Sequence, residues 1–139
     1  MRKIIIASHG KLALELVNTS RMFTDYEDLV ALGIETGDDL QKFKEKMNVE
    51  IFEEPYEEVL LLVDLLGGTP FNTAIQIVHG YKGEKKIEIL TGANLPMLLE
   101  VLLAPEEALM NELKKTAIEA GRQGIKDFFY EMSKKDERR

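Results

Sequence analysis

The sequence contains no cysteine, which excludes disulfides, thiolate zinc sites, iron–sulfur clusters and cysteine nucleophiles together. It has no uninterrupted apolar stretch near the roughly 20 residues needed to cross a bilayer. The basic start Met1-Arg2-Lys3 precedes only Ile4-Ile5-Ile6-Ala7, short of the roughly 7–15 apolar residues of a signal peptide. That run reads as a buried strand, and a cytoplasmic protein is expected. Only two histidines occur, His9 and His79, and they lack the His-x-x-x-His spacing of a helical metal site, so no metal is expected. Neither Gly-x-x-x-x-Gly-Lys-Ser/Thr nor Gly-x-Gly-x-x-Gly occurs, which argues against a nucleotide enzyme, and no other cofactor is implied. Positive charge is also in deficit. The formal net charge is −7, and neutralising nucleic-acid phosphates needs a basic surface, so no nucleic-acid partner is expected.

What is present suits one compact domain: 139 residues, 45% hydrophobic and 31% charged, with no internal repeat. Residues 1–133 are assigned to that domain, and the charged stretch 134–139 is expected to be a frayed tail. Lys3 to Ser8 reads as a strand, and Lys11 to Phe23 as a helix with Leu12, Leu16, Val17 and Met22 at helical spacing. Asp28 to Glu35 is a second extended run. Gly37-Asp38-Asp39 then offers a helix start before Leu40, Phe43, Met47 and Ile51. Val59 to Val63, five apolar residues ending at Asp64, fits a central parallel strand covered on both faces. A helix is predicted from Thr69-Pro70, with Thr69 suited to capping it, to about Val78. Lys86 to Leu90 is a fourth strand and Leu95 to Leu103 a further helix. The region from Pro105 onward reads as mainly helical, interrupted by Gly121 and Gly124, with Ile125 to Tyr130 as a separate short element. This alternation predicts an α/β fold: a doubly wound, mainly parallel sheet with helices on both faces.

Ligands of such sheets bind at the carboxyl ends of the strands. Three polar, glycine-containing loops are predicted there: Ser8-His9-Gly10, Asp64 followed by Gly67-Gly68-Thr69-Pro70-Phe71-Asn72, and Thr91-Gly92-Ala93-Asn94. Glycines admit close approach of a ligand to the backbone, and a helix start offers N–H groups to an anion. A phosphoryl group is the anion this edge is expected to receive. An imidazole suits its transfer, because the neutral ring is nucleophilic and its nitrogens take separate roles. If Asp64 accepts a hydrogen bond from Nδ1 of His9, Nε2 is left to attack phosphorus. The expected phosphate contacts are Gly67, Gly68, Thr69, Ser8 and Gly10, chiefly the amides of Gly68 and Thr69 and the Thr69 hydroxyl. His79, near a helix end, is read as structural. Each residue alone also has an ordinary reading as a surface histidine, a cap or a turn.

The blocks Ile-Ile-Ile-Ala-Ser-His-Gly, Leu-Val-Asp-Leu-Leu-Gly-Gly-Thr-Pro-Phe-Asn and Thr-Gly-Ala-Asn-Leu-Pro-Met-Leu occur in that order. Together with Glu119-Ala120-Gly121-Arg122-Gln123-Gly124 they resemble the mannose-family IIA components of the bacterial sugar phosphotransferase system. The resemblance implies that His9 is phosphorylated on Nε2, that Asp64 partners its other nitrogen, and that Thr69 stands near the phosphoryl group, where relatives often have serine. It implies phosphorylated HPr as donor, a IIB subunit as acceptor, membrane IIC and IID components beyond it, and a homodimer using C-terminal segments. It also implies a IIA unit without the fused IIB domain of some relatives. Leu65-Leu66 stand where the family commonly has Thr-Trp. Two other readings stay open on the sequence alone. One is a receiver phosphorylated on Asp64, with Thr91 after the fourth strand, though it lacks a receiver's acidic pair after the first strand. The other is a flavodoxin-like module that binds a phosphate-bearing ligand. A dihydroxyacetone-kinase phosphocarrier subunit is a minor further possibility.

Overall fold

A computed structural model of the chain describes residues 1–137. In chain order the elements are β1 (Arg2–His9), α1 (Leu12–Ser20), β2 (Leu29–Ile34), α2 (Leu40–Phe52), β3 (Glu58–Val63), α3 (Thr69–Val78), β4 (Lys86–Thr91), α4 (Leu95–Leu103), α5 (Met110–Gln123) and α6 (Phe128–Glu137). The four strands form one parallel sheet in the order β2-β1-β3-β4. The chain therefore moves outward from β1 to β2 and then crosses back over β1 to β3. The direction of winding reverses between β1 and β3, and their carboxyl ends face the resulting crevice.

Alternation along β1 and β3 divides the interior in two. Ile4, Ile6, Leu60 and Leu62 pack with Ala13, Val17, Leu98, Val101 and Leu113, under α1, α4 and α5. Ile5, Ala7, Leu61 and Val63 pack with Phe43, Met47, Ile51 and Ala74, under α2 and α3. Both faces of the sheet are thus covered, as the continuous apolar runs of β1 and β3 require. His9 shares the face of Ile5 and Ala7, while Ser8 shares that of Ile4 and Ile6. This parity determines which side chain can reach the site.

Several local expectations need correction. Leu12 and Met22 are exposed, whereas Val17 is buried as the spacing predicts, together with Ala13 and Ser20. Leu40 is exposed, while Phe43, Met47 and Ile51 are buried as the spacing predicts. Asp39 caps α2 by accepting from the N–H groups of Gln41 (2.9 Å) and Lys42 (3.3 Å). Thr69 does not cap α3; Gly68 holds that position and Thr69 begins the first turn. Gly121 does not break α5, which runs through it to Gln123, and it is buried against α4, with Met97 3.4 Å from where its Cβ would stand. The element expected over Ile125 to Tyr130 begins only at Phe128, after Gly124 ends α5. Within the expected tail, 134–137 belong to α6, and Arg138 and Arg139 lie outside the described residues.

Lys3 is an unanticipated buried charge, with a side chain 2% exposed. Its ammonium is paired with Glu50 and Glu53, donates to the Glu50 carbonyl (3.0 Å) and lies 5.3 Å from the Tyr56 ring centroid. A buried ammonium persists only with such partners. It belongs to the amino-terminal edge of the sheet, opposite His9.

Candidate functional site

β1 ends at His9, and its register pairs Ala7 with Val63, which brings Asp64 level with the end of the strand. The Asp64 N–H donates to the Ala7 carbonyl (3.2 Å), extending the ladder by one residue. One oxygen of Asp64, Oδ2, lies 2.8 Å from His9 Nδ1 and accepts from the His9 main-chain N–H at 3.0 Å. The Asp64 side chain is 12% exposed and that of His9 47% exposed, so an inner carboxylate holds an accessible ring. With Asp64 ionised, Nδ1 carries the proton and the lone pair falls on Nε2.

The Nε2 edge faces the loop into α3. Leu65 to Gly68 form a turn in which the Gly68 N–H donates to the Leu65 carbonyl (3.1 Å), with Gly67 third at φ +82°. Positive φ at that place favours glycine. Gly68 needs no unusual φ and is constrained by space instead: a Cβ there would stand 2.6 Å from His9 Cε1 and 3.2 Å from Nε2. The ring is held at Nδ1 by a carboxylate and walled along Cε1–Nε2 by a bare α-carbon.

α3 begins beside this edge. Among the described residues, the main-chain N–H groups of Thr69 and Phe71 have no hydrogen-bond partner, Pro70 has no N–H, and the Asn72 N–H returns to the Gly68 carbonyl (2.9 Å). Two amides at a helix amino terminus thus remain to meet an anion. Thr69 also lines an open depression of about 400 Å³ with His9, Gly10, Ile34, Glu35 and Thr36.

The structure therefore brings His9, Asp64, Gly67, Gly68, Thr69 and Gly10 together, but not all in the expected roles. Ser8 is fully buried on the other face, and its Oγ accepts from the Ala13 N–H (2.7 Å) at the start of α1. Its hydroxyl cannot contact a phosphoryl group beside His9. The Gly68 amide is engaged within its own turn, and the Phe71 amide stands unpartnered in the first turn of α3. The Gly10 N–H donates to the Ile34 carbonyl (2.7 Å), so Gly10 lines the depression while its φ of +57° turns the chain toward α1. The Thr91-Gly92-Ala93-Asn94 loop occupies the same sheet edge without joining the depression. Asn94 caps α4 through the Met97 N–H (3.0 Å) and donates to the Gly121 carbonyl (3.1 Å). His79 sits at the other end of α3, about 15 Å of helix away.

Sequence reading missed Glu35, Thr36 and Phe71. The signal for the first two is the pairing of His9 with Ile34, which sets residues beyond 34 beside the histidine once β2 is known to neighbour β1. For Phe71, the signal is Pro70: a first helical turn containing proline has fewer amides to offer, and Phe71 supplies the next.

Comparison with known proteins gives a consistent picture. Residues 3–118 match the EIIA-man family, described as the PTS system fructose IIA component. The fructose-specific EIIA component of Bacillus subtilis (strain 168) is 35% identical over 115 residues, covering 81% of this chain and 77% of that protein. The mannose-specific EIIAB component of Escherichia coli (strain K12) is 34% identical over 126 residues, 88% of this chain, and the matched region spans only 38% of that longer protein. Among solved structures, the phosphotransferase system component EIIA from Streptococcus agalactiae superposes with a TM-score of 0.84 at 31% identity, covering 94% of this chain and 99% of that one.

Proposed function

The chain belongs to the mannose-type IIA family of the phosphotransferase system, and on that premise we propose that it is a phosphocarrier using His9. The family excludes neither chemistry nor partner by itself; the 2.8 Å contact between His9 Nδ1 and Asp64 Oδ2 carries the reading to particular atoms. The Nε2 lone pair attacks phosphorus of the phosphorylated donor. The N–P bond forms as the donor's bond to phosphorus breaks, and the electron pair of the broken bond stays with the donor. Asp64 keeps the proton on Nδ1 and offsets the positive charge that develops on the ring. The acceptor's nucleophile then attacks the same phosphorus, and the pair in the N–P bond returns to Nε2. Thr69, through its hydroxyl and N–H, and Phe71, through its N–H, are the assigned donors to the non-bridging oxygens.

The donor in this reading is phosphorylated HPr and the acceptor a IIB subunit, with membrane IIC and IID components acting only after it. No helix among the described residues is long and apolar enough to cross a membrane, which supports a cytoplasmic place for the exchange. Residues 1–133, with 134–137 completing α6, are taken as the working domain. A homodimer is part of the same proposal: α6 exposes Phe128, Phe129, Tyr130 and Met132, apolar surface that a partner subunit would cover. The receiver and flavodoxin-like readings find no support in the family match, and Asp64, the residue a receiver would phosphorylate, is already bound to His9.

The test is incubation with radiolabelled phosphoenolpyruvate, enzyme I and HPr. Acid-labile label mapping to His9 and absent from His9→Ala supports the proposal. Label that is acid-stable and sensitive to hydroxylamine, or that survives in His9→Ala, overturns it.

A further inference from the structure

Asn72 is exposed, yet it makes two hydrogen bonds back to the turn beside His9. Its Nδ2 donates to the Gly67 carbonyl (3.0 Å) and its main-chain N–H to the Gly68 carbonyl (2.9 Å). The second bond belongs to any α-helix, whereas the first needs this side chain. Gly67 and Gly68 have little conformational preference of their own, because neither carries a side chain, so the peptide between them depends on its hydrogen bonds: the Gly68 N–H to the Leu65 carbonyl (3.1 Å) and the Gly67 carbonyl from Asn72. The Gly68 α-carbon is also the wall of the imidazole, with less than a methyl group of space between them.

We propose that Asn72 is a positioning residue for His9: by holding the Gly67 carbonyl, its amide keeps the Gly68 α-carbon against the Cε1–Nε2 edge of the ring. Asp64 fixes one side of the imidazole but leaves it free to swing about the Nδ1 contact. The glycine wall removes that freedom and aims Nε2 toward the amides of Thr69 and Phe71. Asn72 touches neither phosphorus nor ring, and acts through Gly67 and Gly68. Glycine at 68 is required by the same geometry, since any side chain would occupy the place of the ring. This inference rests on His9 as the phosphoryl carrier for its kinetic consequence, but its structural claim stands apart from that reading.

The experiment compares wild type with Asn72→Ala, Asn72→Asp and Gly68→Ala. Asn72→Asp keeps the shape and loses the donor. Transfer from phosphorylated HPr is expected to slow about three- to tenfold in both Asn72 variants, the range a single exposed hydrogen bond supplies, in kcat and not in KM. Gly68→Ala, which displaces the ring outright, is expected to slow it about 10- to 100-fold. The nuclear Overhauser effect between His9 Hε1 and the Gly68 α-protons should be strong in wild type and weakened in the Asn72 variants, with amide protection at Thr73 and Ala74 preserved. An undiminished Overhauser effect in both Asn72 variants, or one that weakens only together with α3 protection, overturns the positioning role. Absence of label on wild-type His9 would instead defeat the phosphocarrier reading and leave the Overhauser measurement to decide this one.

Discussion

Asp64 Oδ2 receives two donors from a single residue, the main-chain N–H of His9 at 3.0 Å and its ring Nδ1 at 2.8 Å. One oxygen thereby ties the strand end to the Nδ1 side of the ring it carries. Asp64→Asn can preserve both contacts with its one carbonyl oxygen but removes the negative charge that, in the proposed mechanism, faces the ring during phosphorylation. Phosphoryl transfer should fall about 100-fold or more, roughly 2.7 kcal/mol of barrier, with the fold retained. Single-turnover transfer alongside thermal melting checks this; a variant that transfers normally would remove Asp64 from the mechanism.

Ser8 supplies the opposite test. Its buried Oγ accepts from the Ala13 N–H, so Ser8→Ala leaves that amide unpaired at the start of α1 and should cost about 1–2 kcal/mol. Transfer measured well below the melting transition should stay within about twofold of wild type, since a single lost cap leaves the Nε2 edge untouched. Loss of transfer at full stability would return Ser8 to the phosphate site.

Lys3 is held by Glu50, Glu53 and the Glu50 carbonyl. Lys3→Ala removes both the ion pairs and the packing of the aliphatic stem, at a cost of about 2 kcal/mol; the partly exposed carboxylates recover hydration and limit the loss. Lys3→Met, which refills the volume without a charge, should lie within about 1 kcal/mol of wild type. Denaturant unfolding of the pair separates packing from charge.

The Tyr56 hydroxyl donates to Asp28 Oδ1 at 2.6 Å, and this bond, aided by desolvation and the Asp28 charge, holds the phenol up to about 12. Because the value in the fold exceeds the ordinary phenol value near about 10, the contribution to stability is complete below that value and is lost as pH rises through 12. Ultraviolet absorbance of the phenolate should show two tyrosines titrating late, Tyr56 and Tyr26, the second raised chiefly by burial, and Asp28→Asn should bring Tyr56 back toward the ordinary range. A titration unaltered by Asp28→Asn would contradict the assignment.

The alternation of strands and helices was legible because it rests on short-range physics. The runs Ile4 to Ala7 and Val59 to Val63 admit few structures other than parallel strands covered on both sides, and Pro70 marks a helix start by local chemistry. The faces of α1 and α2 were less legible, because Leu12 and Leu40 satisfy helical spacing as well as the residues actually buried. Which side of a helix meets the sheet is decided by the crossover, which spacing does not record.

By itself, the sequence determined that His9 and Asp64 would each stand at a strand's carboxyl end, that glycines would let a helix start approach them, and that the chain carries the family's blocks in order. Only the tertiary structure decided that β1 and β3 are neighbours in a register that sets Asp64 beside His9. It also decided that Ser8 turns inward while His9 turns out, and that Gly68 serves the site by the side chain it lacks. The reason is physical: residue types and their spacing express local preference, whereas strand pairing, the parity of side chains across a sheet and the gap between a ring and a backbone arise only when distant segments are packed together.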